Sequence, residues 1–134
     1  MFNDLLANMI VSINRGIVKK QFKIYCKKSK YLNNILLILF KEGWINGFRT
    51  DPTNNNFLEI ILKYYCGKSI IKKIVQISKN SRPIYLKKKE LMNKLLYENY
   101  LLNGFLIIST NKGLMSHTEA IFKNLGGKII CKIL

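Results

Sequence analysis

The side chains best suited to chemistry lie close together late in the chain, in Ser109-Thr110-Asn111-Lys112-Gly113-Leu114-Met115-Ser116-His117-Thr118-Glu119-Ala120. They offer hydroxyls, an amide and one fixed positive charge, with no acid before Glu119. An apolar run, Phe105-Leu106-Ile107-Ile108, leads into them, and Lys112-Gly113 turns the backbone. Ser116 and Glu119 have capping-box spacing, in which each side chain bonds the other's backbone N–H. The segment therefore predicts strand, polar loop and a short helix over about 116–124, stopped by Gly126-Gly127. Nucleophilic catalysis needs a base within hydrogen-bond reach of the nucleophile. His117 is the only histidine, its nearest acid is Glu119, and it is expected at the surface of the helix's first turn. A phosphate loop of the G-x-x-x-x-G-K type does not occur. The polar loop suits a polyanion's backbone and base edges better than bond making. On these residues alone, a plain strand-ending turn is an equal alternative.

Metal chemistry fares no better. Cys26, Cys66 and Cys131 lie far apart with no C-x-x-C pair, so neither a zinc site nor another cofactor site is expected. Each cysteine has apolar neighbours, and all three are expected as small buried hydrophobes in a reducing compartment.

Charge points to the partner. The chain has 134 residues, 23 Lys and Arg against 7 Asp and Glu, and a net charge of +16. Such an excess repels itself in a compact state and is best explained by an acidic partner. Nucleic acid fits, because each lysine set on a phosphate releases a condensed counterion. A peripheral membrane protein is the third alternative, after nucleic-acid binding and catalysis. It calls for a polybasic amphipathic helix. The apolar run 32–40 is far short of the roughly 20 residues that span a bilayer. The arginines are Arg15, Arg49 and Arg82 alone; the other cations are lysines, point charges without planar readout. Abundant Ile, Lys, Asn, Leu, Phe and Tyr suggest an A/T-rich genome, such as an organelle's. No signal peptide or Arg-rich presequence opens the chain, so an organellar protein of this kind is expected to be made inside the organelle.

The elements that must hold the polar loop follow from periodicity. Asn3 can cap a helix carrying Leu5, Leu6, Met9, Ile10, Ile13 and Ile17 on one face, with Gly16 as its stop. Phe22, Ile24 and Cys26 alternate as in a half-buried strand. Ser29 can cap a second helix with Leu32, Ile35, Leu36, Leu39 and Phe40 inward, ended by Gly43. Trp44 to Arg49 begins a strand, 51–56 is a turn, and Phe57 to Cys66 is a long strand. Residues 69–78 predict strand plus linker. Ser81-Arg82-Pro83 is a turn, Ile84-Tyr85-Leu86 a short strand, and a helical segment runs through Leu91, Leu95 and Leu96. Lys128 to Ile133 closes as a strand. The fold class is α+β in two small lobes: an N-terminal α-β-α-β-β lobe (1–66), a connector (67–80), and a mostly β C-terminal lobe with a short capped helix (81–134).

These residues, in this order, resemble the small-subunit ribosomal protein eight family in its bacterial and organellar form. The C-terminal pattern Ser109-Thr110-Asn111-Lys112-Gly113-Leu114-Met115-Ser116, Glu119-Ala120 and Gly126-Gly127-Lys128-Ile129-Ile130-Cys131 is its specific signature. Asp4, Ser29-Lys30, Lys41 to Ile45, Leu62-Lys63-Tyr64, Gly67-Lys68, Ser81-Arg82-Pro83, Ile84-Tyr85 and Lys88 to Leu91 also match, so the resemblance spans the chain. Asn111 stands where the family has a second Ser. The chain also passes straight from Pro83 to Ile84 where the family has a basic insert, and it has extra residues around 97–102. Ser12-Ile13-Asn14-Arg15 carries fewer cations than the family's helix end.

The resemblance implies a non-enzymatic structural protein of the small ribosomal subunit. Such a protein binds the central domain of its RNA early in assembly, through the C-terminal lobe. The N-terminal lobe would touch a neighbouring RNA segment. The residues implied in RNA binding are Ser109, Thr110, Asn111, Lys112, Gly113, Tyr85, Arg82, Lys87, Lys88, Ser29, Lys30 and Arg15. Partners are the subunit RNA and neighbouring small-subunit proteins, with no membrane and no small-molecule substrate. A mitochondrial ribosome is the first expectation and a plastid one the second. A non-ribosomal basic RNA-binding module is the alternative function. Among these residues Ser29 is first a helix cap, and Lys87-Lys88 a solvated or general phosphate-anchoring face. Tyr85 is either core or a stacking ring.

Overall fold

The computed structural model describes residues 2–79, 81–91 and 104–134. The predicted helix beyond Leu91, including Leu95 and Leu96, and the extra residues 97–102 lie outside them, as do the side chains of Asn3 and Asp4. The chain forms two compact units, Met1–Ile74 and Val75–Leu134.

In the first unit, α1 (Phe2–Val18) buries Leu6, Met9, Ile10 and Ile13. Gly16 does not end it. A Cβ there would stand 2.5 Å from Ile24 Cγ2, so Gly16 marks where helix meets strand. The stop comes later, at Lys20, whose φ of 54° is left-handed. Gln21 N–H donates to Gly16 O at 2.9 Å and Lys20 N–H to Ile17 O at 3.1 Å, the bonds of a Schellman cap. The same pair of bonds closes α2 (Lys30–Lys41) around Gly43, as predicted, with φ 82°. Ser29 caps α2 at its start by accepting from Leu32 N–H at 3.1 Å. Leu32, Ile35, Leu36 and Leu39 are buried, whereas Phe40 turns outward.

Strands β1 (Lys23–Lys27), β2 (Ile45–Thr50) and β3 (Phe57–Leu62) form an antiparallel sheet in the order β1-β3-β2. Phe22 lies before β1 and is exposed, edge-on to Tyr64 at 5.6 Å, rather than half-buried in the strand. The predicted long strand 57–66 breaks after Leu62. A separate hairpin, β4 (Tyr64–Tyr65) and β5 (Lys68–Ser69), turns through Cys66 (φ 52°) and Gly67 (φ 78°). Two positive φ values in a two-residue turn are the type I′ pattern. Cys66 is therefore exposed at a turn tip, not buried as its neighbours suggest.

One acid in this unit is covered by two cations. Glu59 is only 2% exposed and lies between Lys23 Nζ at 3.1 Å and Arg49 Nε at 3.0 Å. The hydrogen bond from Lys23, then those from and charge of Arg49, hold its carboxyl below the usual glutamate range against the opposing effect of burial. Asn14 makes a two-way clamp on Ile74, donating to its carbonyl at 3.0 Å and accepting from its N–H at 2.9 Å.

The second sheet runs β6-β10-β8-β9, with β7 also paired to β10. Its strands are β6 (Ile74–Gln76), β7 (Tyr85–Leu86), β8 (Phe105–Thr110), β9 (Gly113–Ser116) and β10 (Gly127–Ile133). Of the expected strand over 69–78, only β5's Ser69 and β6 are extended. Helix α3 (His117–Phe122) follows β9, and residues 88–91 are helical. Leu86, Leu91, Leu106, Ile108, Met115, Ala120 and Ile129 make one core on one side of the sheet.

Candidate RNA interface

The polar stretch is a β-hairpin rather than a free loop. β8 and β9 stay in register up to Thr110 opposite Gly113, which leaves Asn111 and Lys112 as an exposed tip. Gly113 has φ 111°, a conformation other residues rarely adopt. Thr110 shapes this tip. Its hydroxyl donates to Gly113 O at 2.9 Å and accepts from Lys112 N–H at 3.2 Å. The Ser109 hydroxyl makes no hydrogen bond among the described residues.

Register carries Ser109 into a wider surface. Tyr85 on β7 lies opposite Lys128 on β10, Lys128 opposite Ser109 on β8, and Ser109 opposite Leu114 on β9. Directly opposed residues on antiparallel strands point to one face. Tyr85, Lys128, Ser109 and Leu114 therefore form one transverse row, while Leu86, Ile129, Ile108 and Met115 point into the core. At about 4.8 Å between strands the row spans roughly 14 Å. Tyr85 is 65% exposed at one end, and the Asn111-Lys112 tip lies next to the other.

The two glycines before Lys128 let the row close. A Cβ on Gly127 would stand 2.1 Å from Ser109 O, and one on Gly126 would stand 2.5 Å from Leu86 O. These are backbone contacts that cannot yield. Gly126-Gly127 is thus a packing device, and not the helix stop the sequence suggests. That stop is Asn124, with φ 57°, where Leu125 N–H reaches Ala120 O at 2.8 Å.

Tyr85 is positioned from behind. Ser78 is buried; its hydroxyl accepts from Ile84 N–H at 2.9 Å and donates to Ile84 O at 3.2 Å. Ile84 O also accepts from Ile129 N–H at 2.9 Å. Arg82 is exposed in a turn that pairs with Lys79, beside a cleft lined by Gln76, Ser81 and Ile84. Lys87 and Lys88 are exposed directly after β7.

His117 departs from expectation. It is 8% exposed, and its Nδ1 accepts the backbone N–H of Leu106 at 3.1 Å. Its ring stands edge-on to Phe105 at 5.3 Å. It braces the hairpin against α3 instead of sitting on the surface. The capping box forms by half: Ser116 Oγ accepts from Glu119 N–H at 3.2 Å, while the Glu119 carboxylate pairs with Lys123 at 3.0 Å. Burial pushes the thiols up, Cys26 to about 11 and Cys131 to about 12, so both stay protonated and unreactive at neutral pH. No group of three or more His, Cys, Asp or Glu among the described residues could hold a metal ion. No helix among them is long and apolar enough to cross a membrane.

The structure brings together Tyr85, Ser109, Thr110, Asn111, Lys112 and Gly113, with Lys87 and Lys88 following β7. Arg15, on the last turn of α1, and Ser29 and Lys30, at the start of α2, belong to the N-terminal unit. Sequence reasoning missed Lys128. Only its alternation with Ile129, just after the glycine pair, hinted at an outward side chain.

Known proteins share this chain's pattern. The sequence profile of the family described as Ribosomal protein S8 matches residues 4–134. The small ribosomal subunit protein uS8 of Buchnera aphidicola subsp. Cinara cedri is 37% identical over 133 residues, covering 97% of this chain and 96% of the relative. That of Ehrlichia chaffeensis is 36% identical over 133 residues, covering 98% and 97%. The small ribosomal subunit protein uS8m of Acanthamoeba castellanii is 35% identical over 130 residues, covering 97% and 98%. A match of this length and likeness leaves one conclusion: the chain belongs to the ribosomal protein S8 family.

Proposed function

We propose that this protein is a structural constituent of the small ribosomal subunit, binding the central domain of the subunit's RNA and supporting assembly. It carries out no catalytic step and uses no cofactor. Its protein partners are its neighbours in the subunit. The observation that carries the proposal is the Tyr85–Lys128–Ser109 row, which runs up to the Asn111-Lys112 tip on a chain of net charge +16.

A-form RNA shows a wide, shallow minor groove with 2′-hydroxyls and hides its base edges in a deep major groove. Ser109 and Asn111 supply neutral donors and acceptors suited to that surface. Gly113 lets the backbone come close. Thr110 fixes the tip's shape, so its part in binding is positioning. Tyr85 offers an exposed ring for stacking on an unpaired base or a sugar. Lys128, Lys112, Lys87, Lys88 and Arg82 hold phosphates, which set register but do not read sequence. The C-terminal lobe, 81–134, is the main RNA-binding part, joined through 67–80 to the N-terminal lobe, 1–66. There Arg15, Ser29 and Lys30 meet a neighbouring RNA segment; the Ser29 hydroxyl is already used as a cap, leaving Lys30 as the stronger anchor. A mitochondrial ribosome is the site we favour, supported by the codon-biased composition and by the Acanthamoeba relative, whose name carries the suffix m.

The test is co-sedimentation with small subunits, together with footprinting on a central-domain transcript. We expect protection of one irregular helix at near-physiological salt, lost when Asn111 and Lys112 are both replaced by Ala. Protection that is absent, or indifferent to those replacements, would end the proposal.

A further inference from the structure

The N-terminal unit holds a cavity of about 360 Å³ that the C-terminal site does not use. Its cations are Lys20, Lys68 and Lys72, and no acid lines it among the described residues. Ile17, Ile71 and the ring of Tyr64 supply an apolar wall, and Ser69 a hydroxyl. The wall is fixed, because Tyr64 OH donates to Gln21 O and Phe22 packs edge-on against the ring at 5.6 Å. Lys68 and Ser69 are held by the tight Cys66-Gly67 hairpin, in register with Tyr65 and Tyr64.

Lys20 is the telling residue. It occupies the left-handed position of the α1 cap, where glycine avoids the strain and where α2 uses Gly43. From this position Lys20 lines the cavity at the end of α1. One lysine would offset the partial negative charge at the end of α1. Three lysines with no acid go beyond that need.

We propose that this cavity takes one unstacked nucleotide of an RNA strand. Its phosphate sits among Lys20, Lys68 and Lys72, and its base or ribose lies against Ile17, Tyr64 and Ile71. The volume lies within the range of about 300–1,000 Å³ usual for small-ligand sites. The site shares no residue with the C-terminal interface.

The full-length protein is titrated with single-stranded pentauridylate, uridine monophosphate, uridine and inorganic phosphate, followed by backbone amide NMR and fluorescence anisotropy. Pentauridylate should shift amides within 16–21 and 64–72. Replacing Lys68 and Lys72 together with Ala should weaken it about tenfold. Removing the cluster should lower the log–log salt slope by about 0.7 in all, the share of the single phosphate it holds. Lys20→Gly gives a second check that does not depend on the stability of that variant: it should raise Tm while weakening pentauridylate. Thr110→Ala should leave these shifts unchanged, which separates this site from the C-terminal one. The proposal fails if amides within 16–21 and 64–72 do not shift, or if the lysine variants bind pentauridylate as tightly as the parent. It also fails if inorganic phosphate or the free mononucleotide binds as tightly as the strand.

Discussion

Replacing Lys128 with alanine isolates the charge at the middle of the row proposed to face RNA. Lys128 is half-buried, with Tyr85 and Ser109 opposite it on the flanking strands. It makes no ion pair among the described residues, so removing it leaves no acid unpaired in the fold. Stability should change by less than about 0.5 kcal/mol, as for an ordinary surface substitution. Binding should change more. Neutralising one phosphate fewer lowers the log–log salt slope by about 0.7–0.9. Relative to 1 M salt, affinity then falls about fivefold to eightfold at 0.1 M, and only about twofold to threefold at 0.3 M. Filter binding or anisotropy with a central-domain hairpin over that salt range measures both numbers, with Lys89→Ala as the control on the adjacent helical turn. An unchanged slope with Lys128→Ala would refute the placement of RNA over this row. An equal effect of Lys89→Ala would reduce the result to net charge.

Gly127→Ala forces a methyl group into the Ser109 backbone. It should destabilise the protein by about 3 kcal/mol or more in urea unfolding, since overpacking against backbone also breaks ladder bonds; a midpoint like the parent's would contradict the close approach. Of the three cysteines, Cys66 should react at once with a thiol reagent in the native protein, while Cys26 and Cys131 react only on unfolding. Three equally fast thiols would place the buried pair wrongly. Glu59 has a lowered pKa in the folded state, so its stabilising effect is complete above the ordinary glutamate value of about 4.3 and is lost as pH falls through the lower folded value. Urea midpoints should drop through that acid window in the parent and flatten in Glu59→Gln. A parallel decline in both would assign the acid sensitivity elsewhere.

Features set by local chemistry were legible in the sequence. Ser29 and Gly43 bracket α2 because a hydroxyl and a missing Cβ satisfy the helix ends where they stand. The α2 stripe and the strand leading to Ser109 follow from simple periodicity. What escaped depends on partners far along the chain. His117 is buried because Leu106 N–H needs an acceptor there, and no property of a His beside a cap announces it. Gly16 resembles a stop signal until Ile24 is seen against it. Lys20 takes a left-handed conformation that its residue type only weakly suggests. Cys66 occupies a turn position that Asn would announce and Cys does not. Within the candidate site, the hairpin residues were visible from their order. The row that joins them to Tyr85 through Lys128 needed strand register, which no single segment contains.

β10 runs through the middle of its sheet, with β6 and β7 on one edge and β8 on the other, yet it is the last of these strands to be translated. Until it leaves the exit tunnel, Tyr85 and Ser109 have nothing between them to hold a common surface. A truncated product would thus carry most of the lysines but no assembled transverse row. It would stick to nucleic acid indiscriminately, while selective docking would be reserved for chains whose synthesis has passed Ile133.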